Sequence, residues 1–149
     1  MRLTTITPRF VDFVPEQLET GVLYVSEKYS TAVHKCCCGC GQEVVTPLSP
    51  ANWQLRMQGS TVTLTPSIGN WTLKCRSHYF ISRNRVEWAN PFSERQIRQV
   101  RERDRRDRQR YANARAPGHI SEGTPPRIVA DTTSFLGRIW RALKSLWRN

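Results

Sequence analysis

The chain has 149 residues, with 23 Lys and Arg against 12 Asp and Glu, a formal net charge of +11, and five Cys. That length suits one domain with extensions rather than two full domains. No run of 18 apolar residues occurs and the start, MRLTTITPRF, has no apolar leader core. The sequence therefore argues against a spanning helix and a secretory signal, and a reducing cytoplasm is the expected compartment.

The charge is unevenly placed. Residues 1–92 hold nine basic and six acidic side chains, 93–114 eight and four, and 115–149 six and two. The basic excess concentrates in the last third. The folding part is close to neutral, which weakens the inference from a high net charge to a nucleic-acid-binding domain.

In chain order, residues 15–19 suit one helical turn, and residues 22–25 form a short apolar run entered through Gly21. Residues 29–33 lead into a cysteine cluster, and residues 44–45 leave it and stop at Pro47. Residues 53–57 and 61–65 alternate apolar and polar side chains around a Gln58-Gly59-Ser60 turn, the pattern of a hairpin of half-buried strands. Residues 71–75 repeat the alternation. Residues 79–81 and 86–88 flank a second hairpin turn, Ser82-Arg83-Asn84-Arg85. The sum is a mainly β protein, with a small antiparallel β-domain over residues 1–92. Its core is expected to lean on Trp53, Trp71 and Trp88, since each indole can bury a large area.

Residues 93–114 change period. Ser93 and Gln96 fit a capping box, and Glu94/Arg98, Glu102/Arg106, Arg103/Asp107 and Asp104/Arg108 pair at i, i+4. A charged α-helix follows, with Ile97 and Val100 as its docking residues. Its interleaved acids favour a solvated helix over an RNA-binding one. Residues 115–133, rich in Pro and Gly, read as a flexible linker. Residues 134–149 form a C-terminal amphipathic, basic helix. At about 1.5 Å rise per residue it is too short to cross a bilayer. Phe135, Ile139, Trp140, Leu143 and Trp147 on its apolar face would meet a partner groove or the membrane interface, the second placing the protein peripherally on the inner membrane.

The chemistry concentrates in two segments. His34-Lys35-Cys36-Cys37-Cys38-Gly39-Cys40-Gly41 is followed 35 positions after Cys40 by Cys75-Arg76-Ser77-His78. Clustered Cys in a cytoplasmic chain read better as metal ligands than as disulfides. Two chelating pairs from two loops would give zinc its four N/S ligands. The second pair is Cys75-x2-His78. The first stays open between Cys38-x-Cys40, Cys37-x2-Cys40 and a pairing that uses Cys36. The order of the ligands does not match a Rieske cluster, and the absence of H-E-x-x-H or H-x-E favours one structural zinc over a catalytic one.

The segments A-V-H-K-C-C-C-G-C-G, V-V-T-P-L-S-P, P-S-I-G-N-W and C-R-S-H-Y together resemble a bacterial domain-of-unknown-function family with an H-x-C-x-C-G-C-G and C-x-S-H signature. Its members are associated with operons of ubiquitin-like proteins and their E1/E2-like enzymes. The resemblance covers residues 1–90 well and implies a zinc-binding, zinc-stapled domain in such a pathway. It assigns metal-type positions to Cys36, Cys38, Cys40, Cys75 and His78 and leaves Cys37 spare. The ligand set expected is Cys38, Cys40, Cys75 and His78, with Cys36 in reserve and His34 outside the set.

The loops around Ser49 and Ser67 read first as turn chemistry. They would otherwise hold an extended peptide, with Ser49, Ser67 or Ser77 as nucleophile and His34 or His78 as base. The first functional expectation is a non-enzymatic zinc-binding adaptor whose β-domain binds a ubiquitin-like modifier or its E1/E2-like enzyme. The alternative is a peptidase or deconjugating hydrolase that processes the modifier.

Overall fold

The computed structural model describes residues 1–116 and 129–130. Its elements are β1 (Thr7–Phe10), β2 (Val22–Ser26), β3 (Thr31–Lys35), β4 (Glu43–Pro47), β5 (Gln54–Gln58), β6 (Thr61–Gly69), β7 (His78–Ser82), β8 (Arg85–Trp88), α1 (Glu94–Ala114) and β9 (Val129–Ala130). They form two sheets, in the orders β1-β2-β3-β4 and β8-β7-β6-β5-β9. Pairing is antiparallel except where β1 joins β2 and β9 joins β5. The mainly β architecture with one charged helix after it is the fold class expected from the sequence.

One core lies between the sheets. It takes Leu23, Val25 and Ala32 from the first, and Val62, Leu64, Tyr79 and Ile81 from the second. The opposite face of the first sheet carries a smaller cluster, Leu18, Val22, Tyr24 and Val33. This explains why every residue of β2 is buried: its even and odd positions enter different clusters.

Three local expectations change. Residues 15–19 form bends rather than a helical turn. Residues 71–75 are turns rather than a strand, because β6 extends to Gly69 and the chain then doubles back. The loop closes through Asn70 N–H to Ser77 O (2.9 Å), Leu73 N–H to Asn70 O (3.1 Å) and Arg76 N–H to Leu73 O (3.0 Å). The largest fully buried side chains are Tyr24 and Tyr79 rather than the indoles; Trp53 and Trp88 pack on the core from its margin. Sequence reading also passed over β1, a mostly exposed strand that holds a proline and so lacks alternation.

The second hairpin turn places both Arg83 and Asn84 at positive φ, 47° and 65°, as a two-residue turn between twisted strands requires. Ser93 caps α1 with the reciprocal Gln96 contact, and Ile97 is the helix's buried residue. Glu102 pairs with Arg105 and Arg106 on the exposed side. Within the segment read as linker, residues 129–130 pair with Arg56 and Met57 of β5. The amphipathic segment, with Phe135, Ile139, Trp140, Leu143 and Trp147, lies outside the described residues. Among the described residues no helix is long and apolar enough to cross a membrane.

Leu23 is fully buried and Phe13 is 64% exposed. Leu23→Ala is expected to destabilise the domain by about 2–5 kcal/mol. Phe13→Ala should stay within about 0.5 kcal/mol. Urea unfolding midpoints at constant m check both.

Candidate functional site

The loop joining β3 to β4 carries the cysteine cluster. Gly39 and Gly41 sit at φ +83° and +77°, and Cys36 N–H bonds to Gln42 O at 2.7 Å, so the chain turns tightly there. The turn brings the sulfurs of Cys36, Cys38 and Cys40 to that of Cys75, all four within 4.8 Å of one another. Cys36 Sγ lies 3.4 Å from Cys38 Sγ and 3.9 Å from Cys75 Sγ. Four thiols so close could hold a metal ion. Cys37 is fully buried and stands outside the group; burial pushes its thiol up to about 12.

Polar groups surround the sulfurs. Ser77 Oγ lies 3.1 Å from Cys36 Sγ and 3.6 Å from Cys75 Sγ. Asn70 Nδ2 donates to Ser77 Oγ at 2.8 Å and reaches Cys36 Sγ at 3.5 Å. Burial opposes ionisation of Cys75, but the Ser77 N–H and hydroxyl and the thiols of Cys38 and Cys40 outweigh it and bring Cys75 down to about 7. Burial raises Cys36 and Cys38. Cys75 is thus shifted toward the thiolate, the form that ligates metal, while Cys36, Cys37 and Cys38 are shifted away from it.

His78 lies elsewhere. Of the four residues expected to bind metal, Cys38, Cys40 and Cys75 come together, joined by Cys36, while both ring nitrogens of His78 are engaged outside the cluster. Arg76 turns the chain at positive φ, 45°, after Cys75, and His78 then opens β7. Strand alternation sends Tyr79 and Ile81 into the core and puts His78 on the opposite face with Phe80.

On that face His78 meets Ser67. Ser67 Oγ is 3.0 Å from His78 Nε2, and the Asn90 carbonyl oxygen is 3.1 Å from Nδ1. A carbonyl can only accept, so the proton of the neutral ring sits on Nδ1 and the lone pair of Nε2 faces the serine hydroxyl. Gly69 is the register partner of His78. A Cβ at Gly69 would lie 2.2 Å from the ring of Trp71, so glycine lets that indole close over the strand. A cleft of about 520 Å³ opens beside Ser67, walled by Trp53, Trp71, Phe80 and Phe92 and by Val100 of α1.

The other candidates are placed differently. Ser77 is held by Asn70 and the thiols. Ser49 accepts from Asn52 Nδ2 at 2.8 Å. His34 is fully buried, with Nε2 2.8 Å from Tyr79 Oη and, among the described residues, no partner for Nδ1. Sequence reasoning missed the Asn90 carbonyl, because a backbone acceptor has no residue-type signature. It also missed Trp71 and Phe92 around His78. The P-S-I-G-N-W run was the available signal: a serine, a glycine and an indole at spacings that one strand end and one turn bring together.

The family described as bacterial ubiquitination-like system serine protease (BubE) matches residues 10–89, a span that includes Ser67, His78 and all five cysteines. No curated protein and no solved structure matches.

Burial lowers His34 to about 4 from the ordinary 6.5. The folded protein then binds fewer protons than the unfolded chain between those values, so this group's contribution to stability falls as pH drops from 6.5 to 4. The full effect is roughly 3 kcal/mol. Comparison of wild type with His34→Leu across that window should show a shallower loss in the variant.

Proposed function

The chain belongs to the bacterial ubiquitination-like system serine protease family, and on that premise we propose that it is a serine hydrolase that cleaves the C-terminal tail of a ubiquitin-like modifier, with Ser67 as nucleophile and His78 as base. Of the two functions that the sequence left open, adaptor and hydrolase, the second has the stronger support. The observation that carries it is the 3.0 Å approach of Ser67 Oγ to His78 Nε2 with Nδ1 on the Asn90 carbonyl. Nucleophile, base and an orienting acceptor are in contact, which is the arrangement that activates a weak hydroxyl.

Ser67 Oγ attacks the carbonyl carbon of the scissile amide or ester, and its proton passes to His78 Nε2. The imidazolium gives that proton to the leaving amine or alcohol, leaving an acyl ester on Ser67. Water then attacks the ester while His78 takes its proton and returns it to Ser67 Oγ. The cleft between the second sheet and α1 admits an extended peptide, and its aromatic walls suit apolar side chains of such a tail.

We read the metal as one structural zinc on Cys36, Cys38, Cys40 and Cys75. Tetrahedral zinc with bonds of about 2.3 Å sets sulfurs about 3.8 Å apart. The separations of 3.4 and 3.9 Å lie on either side of that value. Four thiolates fill the shell, so zinc there would staple the β3–β4 loop to the β6–β7 loop. His78 is then left to Ser67.

Ser67→Ala and His78→Ala should each lower kcat/KM on a modifier precursor by about 10³-fold or more, and Ser67→Ala should do so with the melting temperature unchanged. Retained turnover in Ser67→Ala would overturn the assignment. X-ray absorption at the zinc edge should report four sulfurs and no nitrogen, and Cys75→Ser should lose metal and melt earlier.

A further inference from the structure

His78 lies in an aromatic box. The Trp71 ring centroid is 5.0 Å away at 59°, Phe92 is 4.4 Å away and edge-to-face at 64°, and Phe80 is 6.0 Å away. Trp71 and Phe92 stack on each other at 5.2 Å with 14° between their planes. Among the described residues, the hydrogen-bond and ring partners of the His78 side chain are all uncharged: Ser67, Asn90 and these three rings. The charged side chains that line the same cleft are Glu87 of β8 and Arg103 and Asp104 of α1. Nδ1 therefore has a neutral carbonyl where a serine hydrolase often has a carboxylate, and less of the developing imidazolium charge is answered by an anion.

Building on the Ser67–His78 dyad, we propose that Phe92 and Trp71 are positioning residues: they clamp the His78 ring with Nε2 aimed at Ser67, and Phe92, edge-to-face with the imidazole, stabilises the imidazolium formed during attack. Aromatic rings attract a cation through their quadrupole, an effect that strengthens where water is excluded. His78 is only 5% exposed. Each clamp residue has its own anchor. Trp71 fits because position 69 has no Cβ to block it. Phe92 precedes the Ser93 capping box, so docking of α1 through Ile97 sets its place. Arg76 of the β6–β7 loop pairs with Glu94 in the first turn of α1, at 2.6 Å, which ties the two anchors together.

A fluorophosphonate probe tests this with no need of the natural substrate. Ser67 Oγ attacks phosphorus, fluoride leaves, and His78 takes the serine proton, so the rate of labelling reports the neutral base as a function of pH. Phe92→Leu keeps apolar bulk but removes the π face, whereas Phe92→Tyr keeps both. We expect Phe92→Leu to label about tenfold more slowly than wild type at pH 8. Its acid-limb midpoint should fall by about half a pH unit to one unit, because the imidazolium loses stabilisation worth that much. Phe92→Tyr should keep the wild-type rate and midpoint, and Trp71→Phe should fall between. An unchanged rate and midpoint in Phe92→Leu would overturn the clamp. So would a slower rate with an unmoved midpoint, which reduces Phe92 to packing. Failure of the wild type to label at Ser67 would instead overturn the dyad on which this inference rests.

Discussion

The bond from Asn70 N–H to Ser77 O, 2.9 Å, closes the loop between β6 and β7, and the rest of the site depends on it. With that loop closed, Gly69 and His78 stand opposite each other in the ladder, and Ser67 lies two residues back along β6. The same closure holds Cys75 on the loop's far side, toward the β3–β4 turn. One eight-residue loop thus sends a thiol to one face of the sheet and an imidazole to the other.

Asn70 links the two faces. Its backbone closes the loop while its side chain donates to Ser77 Oγ and reaches Cys36 Sγ. Anything that pulls the four sulfurs together therefore also tightens the register that sets His78 against Ser67. A structural ion here would act on catalysis through geometry alone, by limiting the spread of positions open to the loop. The loop itself is short of apolar anchors: Leu73 and Cys75 are only partly buried against the core.

Some of this was legible in the sequence because the chemistry is local. The turns at residues 58–60 and 82–85 and the Ser93–Gln96 box depend on a few adjacent residues, and they stand in the structure as read. The cysteine loop was legible as a metal-type cluster for the same reason. The direction of His78 was not. C-x2-H spacing suits a chelating pair, but spacing says nothing of where a strand begins. Arg76 at positive φ and the start of β7 rotate His78 away from Cys75. Ser67 was legible only as a candidate, since its partner is set by the pairing of β6 with β7, across a register irregularity between Leu64 and Ile68. The backbone acceptor at Asn90 left no trace that residue types could carry.

The described histidines show why only one of them suits the base. His34 and His78 are both buried, at 0% and 5% exposure, so burial alone does not separate them. His34 faces Tyr79 Oη through one nitrogen and has no hydrogen-bond partner among the described residues through the other, and burial lowers its pKa to about 4. A proton arriving on it would lack a second acceptor among the described residues, on a ring with no exposed surface. It serves instead as a neutral link between β3 and β7, joining the two sheets. His78 has an acceptor behind it, a hydroxyl in front of it and an open cleft beside that hydroxyl. A base must take a proton and release it within one turnover. That requires the charged ring to be held by something that does not itself change charge, and a carbonyl dipole with the edge-to-face ring of Phe92 meets that requirement.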